Sequence, residues 1–300
     1  MAGEIHNPTR RSVAAGLLAA AAGAPFAALA QTSAPTDCHA HIFRRGLKLA
    51  DVRRYAPDYD ATLSDYLRVL DENGMSRGVL VQPSFLGTDN SFLLEGLAGA
   101  PARLRGIAVV EPTATKDQLA ALDRQGVVGI RLNLVGLAVP AFDAEPWPAL
   151  LKSVADLGWQ VEVHREAKDL EAIVGPLLRT GVNVVVDHFG RPDAKLGVDD
   201  PGFRHLLTTG AQRRTWVKIS AAYRNGKDGA GEATALKAYP MLRDALGVDR
   251  LVWGSDWPHT QFEAVENYKK ARAFLDAMVP DAAEREAVLS RTPAALFRFG

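Results

Sequence analysis

Histidine, aspartate, asparagine and arginine residues recur near the ends of short apolar segments of this sequence. The residues of this kind that could do chemistry are His39, His41, Arg131, Asn133, His164, His188, Arg191, Arg224, Asp256 and His259. Imidazoles and carboxylates bind divalent metal ions, and they also transfer protons in catalysis. Guanidinium groups are permanently charged and match the geometry of a carboxylate. These residue types together indicate a site that activates water beside an anionic organic compound.

The acid–base residues allow two chemical schemes. In the first, one divalent metal ion, zinc before any other, lowers the pKa of a bound water molecule toward neutrality. Its ligands would be His39, His41, His164 and Asp256. In the second, no metal is bound and Asp256 acts as a general base on water. The hydrogen-bond donors that would then polarise a carbonyl group are His39, His41 and His188. The sequence leaves both schemes open, with Asp256 and His188 as the catalytic residues.

Further polar residues are candidates for binding the substrate. Arg131, Arg191 and Arg224 carry planar, charged groups suited to a substrate carboxylate. Asn133 shares a strand face with Arg131, and His259 ends the last predicted strand segment. The substrate-binding candidates are therefore His39, His41, Arg131, Asn133, Arg191, Arg224 and His259.

From residue 35 onward, β-branched runs alternate with amphipathic stretches. The predicted strands cover residues 36–43, 77–84, 104–112, 127–135, 159–166, 183–190, 215–224 and 250–259. The predicted helices include residues 63–74, 147–158, 168–181, 264–279 and 282–297. Strands that alternate with helices form a parallel sheet, and eight such units fit a closed α/β barrel of the (β/α)₈ TIM type. An open doubly wound sheet is the rival fold, but it would normally carry a glycine-rich loop after its first strand.

Strand alternation predicts where the polar residues point. Side chains of a strand alternate between two faces, and the uniformly apolar face must lie under the helices. The polar face therefore points into the barrel, late in each strand, where barrel active sites lie. The same rule places Cys38 on the apolar face and predicts that Asp187 points away from the interior. It also allows Glu162 and Lys218 to face the interior as a pair.

Composition narrows the classes of partner. The 300 residues carry 35 Lys plus Arg and 35 Asp plus Glu, a balance that argues against a nucleic-acid partner. The single cysteine excludes a disulfide within the chain. The partner we expect is therefore a small molecule, an organic acid or a lactone.

The first 30 residues have the pattern of an export signal. An uncharged apolar run over residues 12–30 follows Arg10 and Arg11 and ends in small residues. This arrangement is typical of a secretory signal peptide, and the paired arginines resemble those of the twin-arginine route. We predict a signal peptide over residues 1–30 and a single barrel domain over residues 31–300. The protein would be periplasmic or secreted, exported in folded form, without stable membrane insertion.

Five motifs carry a resemblance to a known family. They are DCHAHIF, GIRLNLV, VEVHREA, VVDHFGRPD and LVWGSDWPH, in this order along the chain. The set resembles the amidohydrolase superfamily, and within it the group that contains 2-pyrone-4,6-dicarboxylate lactonase and sugar-acid lactonases. The resemblance implies a (β/α)₈ barrel that hydrolyses a ring ester, with Asp256 activating water and later protonating the leaving oxygen. The matching positions are His39, His41, Arg131, His188, Arg191, Arg224 and Asp256.

Two positions depart from the pyrone lactonases. Those enzymes have a second arginine six residues after the strand-four arginine, whereas this chain has Leu137. His164, on the fifth predicted strand, resembles instead the metal ligand of zinc-dependent relatives, which include decarboxylases of aromatic acids.

We therefore expect a hydrolase that opens a lactone of an organic acid. A zinc-dependent decarboxylase of an unsaturated or aromatic acid is the second hypothesis. A barrel that binds an organic acid without catalysis is the third.

Overall fold

Eight parallel strands, each followed by helical structure, make up the described part of this computed structural model, which covers residues 1–4 and 34–299. The predicted signal segment lies almost wholly outside these residues. The strands are hydrogen-bonded in chain order. They are β1 (Thr36–Ala40), β2 (Arg77–Val81), β3 (Leu104–Ala108), β4 (Val127–Asn133), β5 (Gln160–His164), β6 (Asn183–Val186), β7 (Thr215–Lys218) and β8 (Leu251–Val252).

The helices connect and follow these strands. They are α1 (Leu63–Glu72), α2 (Ser91–Gly99), α3 (Lys116–Asp123), α4 (Trp147–Asp156), α5 (Leu170–Arg179), α6 (Pro201–Thr208), α7 (Ala230–Leu246), α8 (Tyr268–Met278), α9 (Ala282–Glu286) and α10 (Thr292–Leu296). Local sequence fixes several of their starts; Thr62 and Asp65, for example, form a reciprocal capping box at the start of α1. Within the described residues, no helix combines the length and apolarity needed to cross a membrane.

The sheet closes on itself where the segment after β8 meets β1. The backbone N–H of Asp256 donates to the carbonyl of His39 at 2.8 Å, and the N–H of His41 donates to the carbonyl of Trp257 at 2.8 Å. These bonds join the last strand to the first, so the strands enclose a barrel as the sequence predicts. The same bonds place Asp256 directly beside the two histidines of β1.

Two apolar layers lie on opposite sides of the barrel wall. The outer layer packs strand residues such as Ile130 and Val163 against helix residues such as Leu177. The inner layer consists of Cys38, Val79, Val81, Ile107, Val128, Val185, Val252, Leu296, Phe297 and Phe299. Residues from the segment after α10 thus close one end of the barrel. Arg298 donates to the carbonyl of Val127, the first residue of β4, so this floor lies at the amino-terminal end of the strands.

A bulge in β1 changes one prediction. The pairing register between β1 and β2 shifts between Asp37 and Ala40, which adds one residue to β1. Both Cys38 and His39 therefore face the interior. The prediction that Cys38 lies on the face under the helices is wrong, because simple alternation does not allow for the bulge.

The strands end earlier than predicted. The predicted segments run several residues past the observed ends, most clearly after β6, β7 and β8. Those additional residues form the loops and short 3₁₀ turns at the carboxyl end of the barrel. Many of the chemically interesting side chains lie in these loops.

Gly254 makes the close approach between the β8 segment and β1 sterically feasible. A Cβ atom at this position would lie 2.5 Å from the Cβ and 2.6 Å from the backbone nitrogen of His39. We expect Gly254→Ala to lower the free energy of unfolding by about 1–3 kcal/mol, because the two strands must separate. Chemical denaturation measures this loss.

The matched control is Gly175→Ala in α5, where the nearest atom to a new Cβ is 3.7 Å away. We expect it to leave stability unchanged or to raise it by up to about 1 kcal/mol. Equal stability of the two variants would contradict the close approach.

Candidate active site

The polar residues predicted from the sequence converge at the carboxyl end of the barrel. The side chains of His39, Arg131, His164, His188 and Asp256 are all buried there. They come from β1, β4 and β5 and from the loops after β6 and β8. Barrel active sites lie at this end.

Asp256 is at the centre of the group, and its two oxygens have different surroundings. Oδ2 accepts hydrogen bonds from the hydroxyl of Tyr223 and from Nε of Arg224, both at 2.5 Å. Oδ1 faces the Nε2 atoms of His39, His41 and His188 at 3.7, 3.8 and 3.9 Å. These distances exceed a direct hydrogen bond. Oδ1 is therefore the oxygen left for a water molecule or a substrate.

Electrostatics keep this carboxylate ionised. Burial alone would raise the pKa of Asp256, but the Arg224 guanidinium and the surrounding imidazoles outweigh burial and hold that pKa far below its usual value. Asp256 therefore presents a negative charge at neutral pH.

The imidazoles around Oδ1 are neutral at pH 7. Burial lowers the pKa of His41 to about 4 and that of His188 to about 3, and nearby arginines add to the effect. Nδ1 of His41 lies 2.7 Å from the carbonyl oxygen of Val81, and Nδ1 of His188 lies 2.9 Å from Oγ of Ser220. These contacts hold both rings with Nε2 toward Asp256.

Left-handed backbone conformations place several of these side chains. His188, Arg191, Asp256 and His259 have φ values of 52°, 50°, 63° and 63°. This region is uncommon for residues other than glycine, and such residues concentrate at functional sites. Each one interrupts strand alternation, so the side chain takes a direction that alternation does not predict.

A network of buried charges lies beneath the histidines. Nζ of Lys218 donates to Oε2 of Glu162 at 2.6 Å, and Nη2 of Arg131 donates to Oδ2 of Asp187 at 3.0 Å. The predicted pair of Glu162 and Lys218 is thereby confirmed. Burial raises the pKa of Glu162 to about 7, although Lys218 opposes that rise.

The prediction that Asp187 points away from the barrel interior is wrong. It is buried inside the barrel, within 3.4 Å of Nδ1 of His39 and of Nζ of Lys218. Burial would raise its pKa, but Lys218, His39 and Arg131 hold it well below the usual value. Alternation from Val185, which belongs to the inner layer, places Asp187 inside; the positive φ of His188 then brings the next side chain inside as well.

Among the described residues, His164 is not part of a group whose atoms are placed to hold a metal ion. Its Nε2 is 3.0 Å from Nη1 of Arg191, and a guanidinium only donates hydrogen bonds. The lone pair of Nε2 is therefore already used. Among the described residues, the group that could hold an ion beside Oδ1 is instead His39, His188 and Asp256, whose ligand atoms lie within 4.8 Å of one another.

The remaining predicted residues lie around this centre. Arg224, predicted to hold substrate, is bound to Asp256 and also donates to the carbonyl of Thr260 at 3.2 Å. Oδ1 of Asn133 accepts from Arg54 at 3.4 Å. Nδ1 of His259 lies 3.3 Å from the hydroxyl of Tyr223, which bonds to Asp256.

Two residues of the site were not predicted from the sequence. Tyr223 binds Asp256, and Arg54 extends from the loop after β1 to Asn133. Tyr223 directly precedes Arg224 in a short 3₁₀ turn, so its position next to a candidate arginine was the available signal. Nothing in the local pattern distinguishes Arg54 from the other arginines of its loop.

A cavity of about 620 Å³ opens beside Arg191 and Arg224. The cationic side chains that line it are Lys168, Arg191, Arg224 and Lys227. Within the described residues, no carboxylate lies within ion-pair distance of Arg191, whereas Arg224 is paired with Asp256. Arg191 is therefore the guanidinium left to meet an anion from outside.

Comparison with known proteins gives consistent matches. The amidohydrolase family model matches residues 36–299. The 2-pyrone-4,6-dicarboxylate hydrolase of Comamonas testosteroni is 32% identical over 233 residues, covering 74% of this chain and 76% of its own length. The 4-sulfomuconolactone hydrolase of Rhizobium radiobacter is 29% identical over 267 residues, covering 87% and 89%.

A solved structure is similar over nearly its whole length. It is a probable 2-pyrone-4,6-dicarboxylic acid hydrolase from Acinetobacter baumannii with citric acid bound. It is 40% identical, has a TM-score of 0.85, and the match covers 88% of this chain and 99% of that chain.

Arg191 has no carboxylate partner among the described residues, which predicts that it binds a small carboxylate anion. We expect Arg191→Gln to weaken binding of a small carboxylate anion at least about 10-fold, because a hydrogen bond to a charged group contributes roughly 1.5–3 kcal/mol. Isothermal titration calorimetry at fixed ionic strength measures the change. Arg204→Gln, which alters an exposed arginine paired with Asp199, is the control. Equal affinities of the two variants would show that Arg191 does not meet the anion.

Proposed function

This chain belongs to the amidohydrolase family, and on that premise we propose that it hydrolyses the lactone ring of an anionic organic acid. The enzyme class follows from the family and from relatives that are lactone hydrolases by name. The roles of individual residues are our proposal, built from the geometry of the site.

The arrangement around Asp256 is the observation that carries this proposal. One carboxylate oxygen is held by Tyr223 and Arg224, and the other faces three imidazole nitrogens. A fixed, ionised carboxylate with one free oxygen is suited to take a proton from water. The imidazoles beside it lie where a carbonyl oxygen can be polarised as the water attacks.

The reaction follows in two steps. Water attacks the lactone carbonyl carbon as its proton passes to Oδ1 of Asp256, and the carbonyl oxygen takes the electron pair. The tetrahedral intermediate then collapses, the ring C–O bond breaks, and the leaving oxygen takes the proton back from Asp256. One lactone and one water give one hydroxy acid, and His188 lies where it can hydrogen-bond to the reacting oxygen.

The guanidinium groups of the site favour an anionic lactone. Arg191 lines the cavity and has no carboxylate partner among the described residues, and Arg54 adds a second guanidinium, which donates to Asn133. The relatives are named for pyrone dicarboxylate and sulfomuconolactone, both anionic lactones. Leu137 replaces the second arginine of the pyrone lactonases, so we propose a substrate that differs from the pyrone dicarboxylate in its second acidic group.

A divalent metal ion does not fit the donor set well. Among the predicted ligands, His164 uses its Nε2 on Arg191, and Oδ2 of Asp256 is taken by Arg224. The fixed cations Arg224, Arg131 and Lys218 interact with Asp256, His188 and His39 of the candidate group, and they would repel a further dication. We therefore propose a hydrolysis in which no step depends on a metal ion.

The two other hypotheses predict different products. A decarboxylase would release carbon dioxide, and a binding barrel would show saturable binding without turnover. Among the described residues, His164 accepts from Arg191 at Nε2, so this nitrogen is not available to the ligand set that the zinc decarboxylase would need. Product analysis on the best substrate decides among the three.

Asp256→Asn tests the proposed mechanism. We expect kcat to fall roughly 100- to 10,000-fold on the best lactone found, because the amide cannot accept the proton from water. A screen of anionic lactones, read by acid release at constant pH, supplies the substrate and the rate. Asp199→Asn, an exposed carboxylate paired with Arg204, is the control. Full activity of Asp256→Asn would overturn the mechanism.

Metal removal tests the proposed absence of a metal step. We expect activity to survive dialysis against a chelator, with metal far below one equivalent per chain by elemental analysis. Loss of activity on dialysis and its recovery with zinc would contradict this expectation.

We also propose export by the twin-arginine route, supported by the pattern of residues 1–30. Arg10→Lys with Arg11→Lys should leave an unprocessed precursor in the cytoplasm, because that route reads the arginine pair. Cell fractionation and N-terminal sequencing measure this, with Arg213→Lys and Arg214→Lys as the control. Unchanged processing of the first pair would exclude this route.

A further inference from the structure

We propose that Lys218 is a positioning residue that fixes the proton of His39 on Nε2. His39 and His41 then enter the reaction in opposite hydrogen-bonding roles, His39 as a donor and His41 as an acceptor. The catalytic part of this inference rests on the proposed lactone hydrolysis, whereas the proton positions stand on the contacts alone.

The first contact is between Lys218 and His39. Nζ of Lys218 lies 3.0 Å from Nδ1 of His39, and both side chains are fully buried. An ammonium group has three donors and no acceptor, so Nδ1 must supply the lone pair. An imidazole that accepts at Nδ1 is neutral and carries its proton on Nε2. That proton points toward Oδ1 of Asp256, 3.7 Å away, and Nε2 has no partner among the described residues.

The competing partner of His39 is Asp187. Its Oδ1 lies 3.4 Å from Nδ1, and it has no hydrogen-bond partner among the described residues. A proton on Nδ1 would have to reach this oxygen while breaking the shorter contact with Lys218. The arrangement therefore favours the proton on Nε2.

The second contact fixes His41 in the other form. Its Nδ1 lies 2.7 Å from the carbonyl oxygen of Val81, which only accepts. The proton must be on Nδ1, so Nε2 of the neutral ring carries a lone pair. Two histidines separated by one residue thus present a donor and an acceptor to the same oxygen of Asp256.

This difference gives His39 and His41 separate roles in hydrolysis. A water molecule between Oδ1 of Asp256 and Nε2 of His41 can donate one proton to each, which turns its own lone pair toward the lactone carbon. The N–H of His39 can donate to the carbonyl oxygen as that oxygen gains charge. The water proton that moves goes to Asp256 and later to the leaving oxygen, so neither histidine changes its proton count.

Lys218 has the surroundings for this role. His39, Glu162 and Asp187 form a buried group of ligand type, and the ammonium of Lys218 lies among them, 3.0, 2.6 and 3.4 Å away. Lys218 is thus the built-in cation of this group. Lys218 contacts the ring of His39 at Nδ1, on the side away from Asp256. It therefore affects the reaction through His39.

Nuclear magnetic resonance of ¹⁵N-histidine-labelled protein tests the inference without any substrate. Long-range ¹H–¹⁵N correlations distinguish the two neutral forms of each ring, and His39→Gln and His41→Gln assign the signals. We expect the proton on Nε2 for His39 and on Nδ1 for His41. The same neutral form for both rings, or a proton on Nδ1 of His39, would overturn the inference.

A variant then tests Lys218 itself. Lys218→Met is combined with Glu162→Gln, so that no unpaired carboxylate is left at position 162. We expect the His39 proton to move to Nδ1 and kcat to fall about 100-fold with little change in KM, as for loss of one transition-state donor. Glu162→Gln alone should leave the His39 proton on Nε2, because Lys218 remains.

The outcomes are separable from the proposed function. If the double variant folds and His39 keeps its proton on Nε2, Lys218 does not set it. If the variant fails to fold, the proton positions of the unaltered protein decide the inference. If no lactone is hydrolysed, the proton positions are still measured, and only the catalytic part fails.

Discussion

Pairing of buried charges is the constraint on which the rest of this molecule depends. Removing an ion from water costs several kcal/mol unless a counter-charge and hydrogen bonds replace the water. The barrel interior meets this requirement by joining Lys218 to Glu162 and Arg131 to Asp187. This network lies between the apolar floor and the open site, so the histidines above it rest on groups that cannot easily shift.

The active site differs from this network, because one oxygen of Asp256 has no direct hydrogen-bond partner among the described residues. One oxygen of Asp256 is saturated, and the other faces neutral imidazoles that lie beyond hydrogen-bond distance. Neutral rings can donate or accept according to the contact behind them, which is why the Val81 carbonyl and the Ser220 hydroxyl matter although neither touches the centre. The chemistry is therefore prepared by groups behind the histidines as much as by the histidines themselves.

The spacing of apolar residues along the sequence predicted the barrel and the convergence of its polar residues. Runs of β-branched residues and helical spacing are local signals, and a parallel barrel brings the carboxyl ends of its strands together. The errors share one cause, because alternation holds only while the backbone stays regular. A bulge in β1 turned Cys38 inward. The positive φ at His188 brought that side chain inside next to Asp187, so counting faces back from His188 gave Asp187 the wrong one. Neither irregularity has a signature in its own residues, since no glycine marks either position.

The floor of the barrel has a consequence for biosynthesis. Phe297 and Phe299 seal the amino-terminal end of the barrel, yet they lie farther along the chain than all eight strands. A nascent polypeptide on the ribosome cannot bury its interior valines until these phenylalanines have emerged. The native state can therefore be completed only after this segment has been translated. Until then, the incomplete barrel exposes apolar surface to which chaperones can bind.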